Sequence, residues 1–167
     1  PQLTSLQLAV HVGAWLPLVW LAIQYINGTL GANPIQAATQ RTGKTALILL
    51  ALSLACTPLN TLFNLRQALK VRRALGLYAF LYVAIHFTLF VGVDYRFDLG
   101  LLWADIRSKA YVWVGFSAGL ILLLLAVTSF DWWKKQLRKG WKRLHKLVYL
   151  AAVLVIVHYA WAKKGNI

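Results

Sequence analysis

The sequence predicts an all-α integral membrane helical bundle, with five transmembrane helices in a single domain covering residues 1–167. Three observations carry that prediction. Hydrophobic residues make up 60% of the 167 and charged residues only 13%, where a soluble domain carries about 25% charged. So few charges cannot cover a water-facing surface. The apolar residues also fall into five long segments, each near the ~20 residues that a helix needs to cross a bilayer. Finally, the bases cluster in short stretches between those segments, the pattern of a chain whose loops sort by charge across a membrane.

The segments run roughly over residues 8–26, 45–63, 74–93, 111–130 and 144–161. Tyr25, Trp103, Tyr111, Trp132, Trp133, Trp141 and Trp161 stand near segment ends, where amphipathic rings suit the headgroup zone. The first segment is too long for the apolar core of a signal peptide, and no basic stretch precedes it. The chain opens at Pro1 without a Met, so some native N-terminus is expected to be missing. Cys56 is the only cysteine. It is expected to pack as a small hydrophobe within its apolar run, and no intrachain disulfide is available to it. No internal repeat or low-complexity tract stands out.

Eighteen bases against four acids give a net charge of +14. Such a charge can serve nucleic acid, but here it is confined to short clusters between apolar runs, which excludes that reading. The connection between the second and third segments carries Arg66, Lys70, Arg72 and Arg73. That between the fourth and fifth carries Lys134, Lys135, Arg138, Lys139, Lys142, Arg143 and Lys146. The first connection has only Arg41 and Lys44, and the third mixes Arg96, Arg107 and Lys109 with Asp94, Asp98 and Asp105. The two basic connections are therefore expected in the cytoplasm of a bacterial inner membrane. Lys163 and Lys164 then fall on the outer side, against the rule, so a further helix is expected beyond this chain. The basic run 134–146 is first of all a topology signal. It also suits anionic membrane lipid or a phosphate-bearing flavin.

At least three of the four histidines lie in apolar segments. An ionisable group in hydrocarbon is costly and marks function by default, and neutral imidazole is a standard axial ligand of haem iron. His145 and His158 are 158 − 145 = 13 residues apart, ~20 Å along a helix axis, a spacing that suits two haems stacked across the bilayer. His86 lies 86 − 74 = 12 residues into its segment, ~18 Å deep, at about the depth of His158. These two are expected to clamp an outer haem. His145 then needs a partner on the cytoplasmic side. Arg72, 14 residues before His86, projects from nearly the same face if the helix extends that far back. Arginine stays protonated and is a poor iron ligand, though it suits a haem propionate. His11 is the other candidate. Thirteen residues make 3.6 turns, so His145 and His158 do not share a face of an ideal helix. The plainer readings are interhelical hydrogen bonding for the histidines and a topology signal for Arg72.

No glycine-rich phosphate loop, paired carboxylates or metal-spaced cysteines occur, which favours electron carriage over substrate chemistry. A proton relay would need acids inside the membrane, and all four acids lie outside the five segments. A cytochrome linked to quinol or ascorbate, or a cofactor-free structural subunit, remain as alternatives.

The sequence resembles the haem-binding membrane subunit of the periplasmic protein-methionine-sulfoxide reductase system, part of the ferric-reductase-like transmembrane group. The carriers are HVGAWLP from His11, LGANP and TGKTAL between Leu30 and Leu47, TPL at Thr57, VRRALGLYAFLYVAIH ending at His86, and WKRLHKLVYLAAVLVIVHYAW from Trp141. Taken in order they span nearly the whole chain. The resemblance implies a six-helix protein that passes electrons outward to a periplasmic molybdopterin-containing reductase. Its donor would be the quinone pool or a cytosolic flavin reductase, with haem b, one or two per chain, and flavin mononucleotide as cofactors. It implies iron ligation by His86, His145 and His158. Related two-haem proteins carry two histidines about 14 residues apart on the third helix; Arg72 stands at the first of those positions.

Overall fold

A computed structural model describes residues 3–164, and no strand occurs among them. Five of the helices are long and apolar enough to cross a membrane. They divide between two compact units, Pro1–Arg96 and Phe97–Ile167.

In the first unit, α1 is Ser5–Ile26, α2 Pro34–Phe63 and α3 Arg66–Thr88. Thr4 opens α1 with a capping box, its hydroxyl accepting from Gln7 N while the Gln7 side chain accepts from Thr4 N. Two donors that hydrocarbon could not satisfy are thereby bonded. Gly28 and Gly31 take positive φ in the turn that follows, a conformation that suits glycine because it has no Cβ. α2 starts at Pro34, eleven residues before the apolar segment expected at 45. Asn33 caps it by accepting from Gln36 N, and proline at the first helical position has no N–H to leave unbonded. Arg41 and Lys44 are therefore helical residues. Asn64 in the left-handed conformation ends α2, and α3 begins two residues later.

α3 also starts early, so Arg66, Lys70, Arg72 and Arg73 ride on a helix rather than a loop. It continues into a π-helical stretch, Leu89–Asp94. The α2–α3 pairing is antiparallel, as Thr39 meets His86 and Ser53 meets Arg72. Its seam is lined by Ala46, Leu50, Cys56, Leu75 and Ala79, all buried. α1 runs parallel to α3: His11 meets Tyr78, and the buried Tyr82 donates to Ala14 O at 2.6 Å.

The second unit holds α4 (Leu99–Ile106), α5 (Ala110–Val127), α6 (Asp131–Leu144) and α7 (Leu147–Lys164). Neither α4 nor α6 is an apolar span. Asp98 caps α4 by accepting from Gly100 N and Leu101 N. α6 takes up most of the basic 134–146 connection and is kinked at Arg138, with φ 45°. Trp133, Leu137, Trp141 and Leu144 fall on its half-buried side, while its lysines and arginines are exposed. α5 and α7 pack antiparallel, with Tyr111 beside His158 and Thr128 beside His145. Ala118, Leu122, Leu125 and Ala151 are buried in this unit.

Candidate functional site

His86 sits on α3 against the first turns of α2. Its Nδ1 lies 2.8 Å from the main-chain oxygen of Thr39. A carbonyl only accepts, so Nδ1 carries the proton and donates. The lone pair of the ring is then on Nε2, since a neutral imidazole has one donor and one acceptor nitrogen. The ring packs against Gly43, where an ideal Cβ would stand 3.0 Å from Nδ1 and 3.1 Å from Cε1.

His158 repeats this arrangement in the second unit. Its Nδ1 donates to Tyr111 O at 2.7 Å, and an ideal Cβ on Gly115 would stand 2.6 Å from Nδ1 and 2.7 Å from Cε1. The positions are related by one offset: 111 − 39, 115 − 43 and 158 − 86 are each 72. Buried seam residues obey it too, Ala46 with Ala118, Leu50 with Leu122, and Ala79 with Ala151. No repeat stands out in the sequence, because most side chains between these positions differ. The available signal was the spacing of glycine to histidine, 43 residues in both halves.

His145 is held differently. It falls at the break between α6 and α7, as the C-cap residue of α6, which accounts for the angular mismatch with His158. Its Nε2 lies 3.1 Å from Thr128 Oγ1. That hydroxyl gives its own proton to Leu124 O at 2.7 Å, so it accepts from His145, and here Nε2 carries the proton. The ring stacks on Trp141 at 4.0 Å and 28°. Trp141 Nε1 in turn donates to Thr128 O at 2.8 Å, so one residue anchors both rings.

Arg72 is exposed, with Nη1 donating to Thr57 Oγ1 at 3.0 Å while its main-chain oxygen accepts from Ser53 Oγ at 2.9 Å. α3 runs unbroken from Arg72 to His86, as a shared face requires. His11 makes a 2.9 Å hydrogen bond with Tyr78 through Nδ1. Tyr78 is six residues past Arg72 and eight before His86, which puts His11 near mid-helix rather than at the level of Arg72. Among the described residues no three of His, Cys, Asp and Glu gather as a metal cluster.

Residues 42–156 match the family described as ferric reductase like transmembrane component. The protein-methionine-sulfoxide reductase heme-binding subunit MsrQ of Rhodospirillum rubrum is 44% identical over 162 residues, covering 96% of this chain and 78% of that protein. The subunit of the same name from Herminiimonas arsenicoxydans is 42% identical over 167 residues, covering 99% and 77%. That of Deinococcus radiodurans is 43% identical over 159 residues, covering 94% and 78%. No solved structure matches this chain.

Proposed function

This chain belongs to the ferric-reductase-like transmembrane family, with heme-binding MsrQ subunits among its relatives, and on that premise we propose that it is a multi-pass membrane b-type cytochrome serving a methionine sulfoxide reductase. The observation that carries the reading is the matched pair His86 and His158. Each sits in an apolar helix with Nδ1–H committed to a main-chain carbonyl. A second hydrogen bond that fixes tautomer and ring angle, and raises the basicity of the other nitrogen, is the usual support of a metal-bound histidine. Imidazoles held through Nδ1 suit axial ligation, through Nε2, of iron already held by a porphyrin, so the residues fit the group. When bound, haem supplies reversible one-electron reduction.

In this reading His86 and His158 are iron ligands toward the periplasmic face. His145, at the other end of the α5–α7 pair, is the ligand toward the cytoplasm. Arg72 supplies a cation for a propionate at the inner level. Electrons come from quinol or a cytosolic flavin reductase and leave to a periplasmic molybdopterin-containing reductase. The exposed bases of α6 suit the phosphate of flavin mononucleotide, and the positive-inside rule puts α6 in the cytoplasm.

A reduced-minus-oxidised visible spectrum of detergent-purified protein, with haem quantified per chain, tests this. A b-type spectrum is expected, with haem lost from His86→Ala. A haem-loaded wild type whose His86→Ala variant is unchanged would sink the ligand assignment, and a colourless protein from haem-supplied cells would sink the cytochrome. Co-purification of a molybdopterin protein tests the acceptor.

A further inference from the structure

At Gly43 and Gly115 a histidine ring occupies the place of the missing side chain. Glycine is unfavourable inside a helix, so its place at these two half-buried helical positions asks for a reason. Each glycine stands four residues after the carbonyl that binds the histidine, Thr39 before Gly43 and Tyr111 before Gly115. In an α-helix that carbonyl already accepts from the N–H of the residue four further on, here the glycine itself. Its second lone pair lies on the side where that residue's side chain would stand. This chain shows how close the two come: Thr39, Thr45 and Thr128 each reach with Oγ1 to the carbonyl four residues back. A side chain at Gly43 or Gly115 would stand over that oxygen and meet the imidazole at 3.0 Å or less.

We infer that Gly43 and Gly115 are positioning residues that uncover the carbonyls of Thr39 and Tyr111 for a second donor, so that each carbonyl locks one histidine in its Nδ1–H tautomer with Nε2 as the lone-pair nitrogen. The same construction at the same offset in two units sets it apart from incidental close packing. The lock is a property of the polypeptide. Its consequence for iron rests on the cytochrome reading above.

Histidine-selective 15N NMR of the haem-free protein in detergent reads the lock directly, on wild type, Gly43→Ala, Gly115→Ala and Gly13→Ala, the last a helical glycine with nothing near its Cβ position. Wild type and Gly13→Ala are expected to show His86 and His158 as single Nδ1–H tautomers. Gly43→Ala should lose that signature at His86 alone, and Gly115→Ala at His158 alone. Unchanged tautomers in both variants would overturn the inference, even where no haem binds and the cytochrome reading has failed. In haem-loaded protein, loss of the Nδ1–H bond makes the ligand less electron-donating, so a positive shift of midpoint potential is expected, together with a lower haem content in Gly115→Ala than in Gly43→Ala. Should alanine at 115 prevent folding, His158→Gly protein is soaked with imidazole or 1-methylimidazole, which lacks the N–H. Imidazole is expected to restore the wild-type potential and the methylated ligand to leave it more positive; equal potentials overturn the lock.

Discussion

The α2–α3 and α5–α7 pairs are built alike at one end and differently at the other. At the like end each presents a glycine, a carbonyl four residues before it and a histidine, all displaced by 72 positions between the pairs. At the other end α3 runs straight through Arg72, whose long side chain stays exposed and reaches Thr57. The second pair instead breaks its helix at His145 and holds the ring by Thr128 and Trp141. The tautomers are opposite as well: His86 and His158 donate from Nδ1, His145 from Nε2. The like ends share one feature, an imidazole whose Nδ1–H is held by a main-chain carbonyl. At the unlike ends the two pairs carry groups that are not equivalent, Arg72 in one and His145 in the other. A guanidinium cannot give up its proton to become a lone-pair donor, so Arg72 and His145 cannot play the same part.

The comparison breaks or sharpens on variants made in matched pairs. The largest effect is expected from His158→Ala beside His86→Ala: near-complete and equal loss of the same haem signal. Retention in one and loss in the other would end the equivalence of the two pairs. Next come the seams. Ala79 and Ala151 are fully buried at equivalent positions, so leucine at either should overpack its helix pair by about 1–3 kcal/mol, read as a lowered unfolding midpoint in detergent. A large cost at one and none at the other would show that only one pair is tightly packed.

Smaller effects are expected at the unlike ends. Thr128 is buried, and Thr128→Val removes the acceptor of His145, a loss of about 1 kcal/mol. The haem signal assigned to His145 should change while that of His86 stays. The smallest effect is at Thr57→Val. Its partner Arg72 is exposed, so stability should move by less than about 0.5 kcal/mol. A cost equal to that of Thr128→Val would mean the two unlike ends are more alike than their geometry indicates.

Much of the fold was legible because lipid imposes a coarse rule: a crossing helix needs a long apolar run, and all five expected runs lie within or largely overlap the five long helices. The errors lie where polar residues continue a helix. Gln36, Gln40, Arg41 and Lys44 hid the first turns of α2, and four bases hid those of α3, although Asn33-Pro34 was a readable start signal. The basic 134–146 stretch read as a loop because charge alone does not separate a loop from a helix lying with one apolar side down. The alternation Trp133, Leu137, Trp141 and Leu144 did carry that signal.

For the candidate site, the sequence by itself determined which groups are available: four histidines, three of them at depths where hydrocarbon leaves little reason for an ionisable side chain but function. It also determined that no cysteine or carboxylate cluster competes with them. Only the tertiary structure decided what each imidazole is prepared to do. Tautomer depends on the partner of one ring nitrogen. For His86 and His158 that partner is a main-chain oxygen on another helix, 47 residues away in sequence and carrying no residue-specific mark. The glycines that expose those oxygens are visible as letters, but their meaning depends on which helix face meets which, and that is settled when the helices pack.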